Sequence, residues 1–167
     1  MASTTNEVRA YNWTGSAWAE TNISDTPQSV LSVAIGDTDN DLKNEIVIGM
    51  WSTTNEVRTY DWNGIVWAES IIADTPNTVN SIVIGDADND GKIEVVVGLA
   101  STTNEVRAYE WTGTIWKGSN IADTAAGVRV ALGDADNDLK NEVVIGMDST
   151  TNEVRMYKFC SKASIVS

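Results

Sequence analysis

The sequence predicts an all-β protein built from four-stranded antiparallel units, about three and a half of them along 167 residues. Three observations carry that expectation. A passage of about 49 residues returns along the chain. Each return holds four short apolar or β-branched runs bounded by turn residues, the signature of strands. No stretch keeps the period of an amphipathic helix.

The repeat sets the organisation. Residues 3–51 return at 52–100 and at 101–148, and a partial copy occupies 149–159, with offsets of 49, 49 and 48 residues. Such regularity means one supersecondary unit that buries its faces against its neighbours. Residues 1–167 therefore read as a single repeat domain without a linker, ending in an atypical tail, "CSKASIVS", at 160–167.

Within a unit, "SVAIG" (32–36) is the first strand and "EIVIG" (45–49) the second, with an acidic loop between them. "EVRTYDW" (56–62) and "VWAES" (66–70) follow as third and fourth, joined by "NG", a strong hairpin signal. "DTP" at 25–27 and 74–76 then interrupts the chain before the next unit. Four antiparallel strands in this length make a β-propeller-type blade. A flat or solenoidal stack is the competing arrangement.

Counted in strands, the chain begins at the third strand of a blade, so half-blades fall at 7–21 and 128–146. Unpaired strand edges invite pairing with another chain. A homodimer closing a six-bladed ring is one expected partner arrangement. Neighbouring blades of a longer chain are the other.

Charge narrows the partners. The formal net charge is −13 and there is no histidine. Nucleic acid needs basic residues to displace phosphate counterions, so it is excluded as a partner. An anionic membrane surface is disfavoured for the same reason, and the apolar runs are too short to span a bilayer. Cys160 is the lone cysteine, which excludes an internal disulfide and CxxC metal sites. The N-terminal stretch lacks the basic start and apolar segment of a signal peptide.

Three loops concentrate the negative charge: "DTDNDLKNE" (37–45), "DADNDGKIE" (86–94) and "DADNDLKNE" (134–142) hold 12 of the 24 acidic residues. Aspartates at loop positions one, three and five can turn their short side chains inward around a centre. Position seven (Lys43, Lys92, Lys140) can offer its carbonyl, leaving the ammonium in solvent. Position nine (Glu45, Glu94, Glu142) opens the second strand and can close the shell. Hard oxygen donors in this number suit Ca²⁺, with Mg²⁺ second, and the absence of His and ligating Cys disfavours zinc. A divalent ion offsets the repulsion of crowded carboxylates; three would take the formal charge from −13 to −7. The plain alternative is an Asp/Asn-rich turn with solvated carboxylates.

"IGDADNDGKIEVVVG" resembles the FG-GAP/VCBS repeat, the calcium-binding blade of integrin α-subunit propellers and many microbial surface proteins. The family loop is D-x-D-x-D-G-x-x-D/E, and the resemblance spans essentially residues 3–159. It implies calcium ligands at Asp86, Asp88, Asp90, Lys92 (carbonyl) and Glu94. The equivalent sets are Asp37, Asp39, Asp41, Lys43 and Glu45, then Asp134, Asp136, Asp138, Lys140 and Glu142. It also implies an extracellular or cell-surface setting and a role in adhesion. Glycine at position six survives only as Gly91, with Leu42 and Leu139 in the other loops; a left-handed backbone there would strain the leucines. Phe-Gly and Gly-Ala-Pro signatures are absent, which marks the divergent microbial form.

Tryptophans bracket each hairpin turn as Trp13/Trp18, Trp62/Trp67 and Trp111/Trp116, placed to stack across strands. An exposed ring of such pairs would instead offer platforms for sugars. Trp51 has no counterpart in the other copies. "NEVR" recurs four times, setting Arg58, Tyr60 and Trp62 on one strand face, where cation–π stacking fits. Catalysis lacks its parts: no histidine, no paired nucleophile and base, and three equivalent acidic loops rather than one asymmetric site. The expected function is a non-catalytic, calcium-binding scaffold for binding or adhesion, taking a protein or glycan ligand. A carbohydrate-binding propeller and a purely structural repeat array are the alternatives.

Overall fold

A computed structural model describes residues 6–51, 54, 56–101, 103, 105–148 and 153–159. Cys160, the tail at 160–167 and the junction at 149–152 lie outside these residues. The described chain is all β, and its strands fall where the four-run pattern puts them. β1 (Asn6–Trp13) and β2 (Trp18–Thr26) form a two-stranded antiparallel sheet. β3 (Val30–Gly36), β4 (Glu45–Met50), β5 (Val57–Trp62) and β6 (Trp67–Ala73) form the first full blade. β7 (Val79–Gly85), β8 (Glu94–Leu99), β9 (Val106–Trp111) and β10 (Trp116–Ala122) form the second. β11 (Gly127–Gly133), β12 (Glu142–Asp148) and β13 (Val154–Tyr157) form a three-stranded sheet. Every pairing is antiparallel and joins sequence neighbours, and the succession of sheets is open.

The hairpin turns obey the sequence signal. The Asn63 amide donates to the Val66 carbonyl at 3.3 Å, and Gly64 takes φ 95°, a value that favours glycine. Trp62 then faces Trp67 directly across the strands, with ring centroids 5.4 Å apart. The other two pairs repeat this at 5.4 and 5.3 Å. All three are tilted pairs of the kind aromatic quadrupoles favour.

Each blade packs face to face on the next, and burial follows the period of two along a strand. In β8, Val95, Val97 and Leu99 join a core shared with Val47, Val57 and Ile72 of the preceding blade. Val96, between them, points the other way into a core with Val128, Val130, Val143 and Ile145. Ile46, Ile48 and Met50 of β4 meet Val8 of the N-terminal hairpin. β4 and β8 are buried along their whole length because both faces are covered, so they read as continuous apolar runs.

The first strands of successive blades lie closest together: β3 against β7, and β7 against β11. Two features permit that approach. A methyl group on Gly49 would fall 2.4 Å from Val79 Cγ1, and one on Gly98 would fall 2.8 Å from the Val128 carbonyl oxygen. Serine hydroxyls then bridge the blades. Ser32 Oγ accepts from the Ile82 amide, and Ser81 Oγ accepts from the Val130 amide, both at 2.9 Å.

Ser81→Ala leaves the Val130 amide without that acceptor. Unfolding in urea should show a loss of about 1–3 kcal/mol, the desolvation penalty of an unsatisfied buried donor. Ser16→Ala, on an exposed hairpin turn, should stay within about 0.5 kcal/mol. Equal effects from the two variants would show that the hydroxyl bridge contributes nothing to the blade interface.

Candidate metal centre

The acidic loops join β3 to β4, β7 to β8 and β11 to β12, at one end of each blade. Their backbone winds around the first aspartate. Asp37 Oδ1 accepts from the Asp41 amide at 3.0 Å, and Asp37 Oδ2 accepts from the Leu42 amide at 3.0 Å. Asp39 Oδ1 shares the Asp41 amide at 3.1 Å, and Asp41 Oδ1 accepts from the Lys43 amide at 2.9 Å. The loops starting at Asp86 and Asp134 repeat the arrangement. This winding needs two left-handed residues. Asn40, Asn89 and Asn137 sit at φ 62–63°, a region asparagine tolerates.

The second left-handed position is the one the family motif fills with glycine. Gly91 takes φ 93°, whereas Leu42 and Leu139 both take φ 70°. Their side chains are almost fully exposed, at 94% and 93%. The expected strain at these two positions is present, and packing gives nothing back.

The glutamate at position nine anchors each loop from below. Glu45 is buried, and its Oε2 accepts from the Thr38 amide at 2.7 Å and the Thr38 hydroxyl at 2.8 Å. Glu94 Oε2 accepts from the Ala87 amide at 2.8 Å, and Glu142 Oε2 from the Ala135 amide at 2.9 Å. The remaining oxygens, Glu45 Oε1 and Glu142 Oε1, are buried without a hydrogen bond. Burial, only partly offset by the Thr38 donors, raises the affinity of Glu45 for its proton. Burial pushes the Glu94 carboxyl up to about 7, and the nearby charges of Asp88, Asp90 and Asp86 push the same way. Asp39 and Asp88 are also raised, first by burial and then by their aspartate neighbours.

The structure gathers most of the expected ligands. Carboxylate oxygens of Asp37, Asp39 and Asp41 lie within 4.8 Å of one another, as do those of Asp86, Asp88 and Asp90. In the third loop the mutually close set is Asp134, Asp136 and Glu142, without Asp138. Two lysines depart from the expectation of a free ammonium. Lys43 Nζ donates to Asp41 Oδ2 at 2.7 Å, which lowers the Asp41 carboxyl. Lys92 Nζ contacts Glu110 and lies 3.8 Å from Asp90 Oδ2. A flexible stem next to a crowd of carboxylates brings the head group back.

Fit to a divalent ion rests on two observations: the donors are hard oxygens, and aspartate charges crowd beside the buried Glu45 and Glu94. Both suit calcium. Sequence reasoning missed the roles of three polar side chains, one in the third loop and two at the other end of the blades. Asn141 links the second and third loops, its amide donating to Asn89 Oδ1 at 2.7 Å and its Nδ2 to the Asp86 carbonyl at 2.8 Å. Ile93 occupies the matching position in the second loop, which pointed to a difference between the junctions. Glu56 and Glu105 of "NEVR" turn inward and accept from the Thr75 and Thr124 amides, each at 2.7 Å. Arg58 consequently pairs across the sheet with Glu69 at 2.9 Å rather than with its sequence neighbour. Among the described residues the cation–π contact expected at Arg58 is found in the next blade, with Arg107 5.6 Å from the Tyr109 ring centroid.

Residues 37–97 match the family model of the FG-GAP-like repeat. This stretch holds the first two acidic loops, β4, the β5–β6 hairpin, β7 and most of β8. The match is to a repeat of FG-GAP type, in line with the resemblance of its motif. No match is found among curated proteins.

The Glu94 shift sets a pH dependence for the metal-free protein. The folded state holds the proton up to about 7, against an ordinary value of 4.5. Between these values the folded state binds more protons than the unfolded one, so stability falls as pH rises through the window. With EDTA present, the wild-type melting temperature should fall relative to that of Glu94→Gln between pH 5 and pH 8. Parallel curves for the two proteins would refute the assignment.

Proposed function

We propose that the FG-GAP-type blades form a non-catalytic scaffold whose acidic loops are fixed by calcium and whose blade surfaces bind a partner. One observation carries this reading: three carboxylate clusters on one repeated turn, each beside a buried glutamate whose charge the loop does not neutralise. Asp37, Asp39, Asp41 and Glu45 would hold the first ion, and Asp86, Asp88, Asp90 and Glu94 the second. Asp134, Asp136, Asp138 and Glu142 belong to the third. The carbonyls of Lys43, Lys92 and Lys140 complete the sets that the family loop implies. A bound divalent cation would supply charge compensation, and with it rigidity of the turn. The protein's own amides hold the first aspartate of each loop.

Calcium bound only by the folded state raises stability by mass action, about 2.7 kcal/mol per site at a hundredfold excess over Kd. Melting should therefore shift upward in millimolar CaCl₂ relative to EDTA. The combined Asp37→Asn, Asp86→Asn and Asp134→Asn variant should lose that shift. An unchanged melting temperature for the wild type would remove calcium from the reading.

A carbohydrate ligand is the second reading, and a specific groove favours it. Thr59, Asp61, Glu69 and Ser70 on the β5–β6 face, with Asp39 of the loop, line a groove walled by Trp111 and Trp116 of the next blade. Hydrogen-bonding groups facing aromatic rings suit a sugar, whose polar edges and apolar face differ. On a glycan array, binding that disappears in Trp116→Ala would support this reading. A flat response from the wild type would count against it.

A further inference from the structure

The three acidic loops are not equivalent, and one of their differences traces to a single position at the end of the third strand. The position before the last aromatic of that strand is Asn12, Asp61, Glu110 and Lys158 in successive copies. In the two full blades it is acidic and adds to the field of the loop: Asp61 raises the Asp39 carboxyl, and Glu110 raises that of Asp88. In the last sheet it is a lysine, just after β13. Lys158 Nζ donates to Asp136 Oδ2 at 2.8 Å and to Asp138 Oδ2, and lies 3.4 Å from Glu142 Oε1. These carboxylates stand at loop positions three, five and nine, where ligands are expected.

The contact changes the cluster. Asp138 is drawn to the ammonium and leaves the mutually close set, while Glu142 joins it. The buried Glu142 Oε1, which lacks a hydrogen bond, faces the same ammonium. Asp138 holds its proton less tightly, chiefly through the hydrogen bond from Lys158. Among the described residues, neither full blade puts a cation in touch with three loop carboxylates. Lys43 reaches only Asp41 within ion-pair distance, and Lys92 is drawn away toward Glu110.

We propose that the third loop carries its own counter-ion: the tethered ammonium of Lys158 occupies the carboxylates that would bind a divalent cation, leaving two strong sites and one weakened site. The inference rests on the calcium reading above. A ligand that must wait for an occupied site to open has its affinity divided by the open fraction, so an ammonium resident about nine-tenths of the time weakens binding about tenfold.

Calorimetric titration of the full chain with CaCl₂ tests it. The wild type should bind two ions strongly and a third about tenfold or more weakly. Lys158→Met, which keeps most of the apolar stem, should bring the third site into the strong class. Asp134→Asn should abolish the weak site and leave the strong pair. Asp61→Lys should convert the first loop into a second weakened site. Melting in EDTA gives a readout free of calcium: Lys158→Met should lower the melting temperature more than Lys117→Met, a lysine on the exposed part of β10. Three equal sites in the wild type, or a third site still weak in Lys158→Met, would overturn the inference while leaving calcium binding intact. Absence of binding by both proteins would overturn the calcium reading and this inference together.

Discussion

Every blade depends on a buried glutamate that opens its second strand and holds the turn before it by a backbone amide. Glu45, Glu94 and Glu142 are each almost inaccessible, yet each sits next to a run of aspartates. Burying a carboxylate is unfavourable unless donors meet it, and here the donor is the amide at loop position two, at 2.7–2.9 Å. That bond ties the beginning of the loop to its end. The aspartates are thereby forced to share a small volume, and the amides of positions five and six gather on the first of them. The carboxylate cluster is a by-product of closing this turn tightly, and its electrostatic tension is what an oxygen-seeking cation would relieve.

Repetition supplies the architecture, and departures from it supply the local chemistry. Successive blades meet through one design, in which a glycine admits the next first strand and a serine hydroxyl caps one of its amides. Where a copy departs, the structure responds at that position. Asn141 forms a bridge between loops that Ile93 cannot make. Gly118 stands where Glu20 and Glu69 receive Arg9 and Arg58, so Arg107 loses its cross-strand carboxylate. Its Nε is then buried without a hydrogen bond, and its guanidinium lies over Tyr109.

The strand plan was legible because its signals are local. Short β-branched runs, the "NG" turn and the aspartate spacing each act within a few residues, so 49-residue copies announce blades directly. The left-handed position of Leu42 and Leu139 was legible for the same reason. What escaped notice depends on the stacking of one blade on another, or on two strands meeting. Glu56 is one charged residue of the repeated "NEVR" stretch, with no local sign of burial. Its burial arises only when the chain returns 19 residues later and presents the Thr75 amide. Lys158 reads as an ordinary surface charge until β13 pairs with β12 and sets it over the third loop.

The two kinds of buried glutamate also separate structural from ligand-seeking carboxylates. Glu56 and Glu105, like Glu45 and Glu142, have one oxygen on a backbone amide and another without a hydrogen bond. A missing partner is therefore common to both kinds and does not by itself argue for an ion. The surroundings differ. Glu45 and Glu94 feel the charges of their loop aspartates, and those charges add to burial in opposing ionisation. Glu56 and Glu105 belong to none of the carboxylate clusters among the described residues. Glu45 and Glu94 thus combine desolvation with like-charge crowding, the two effects a divalent ion counters at once.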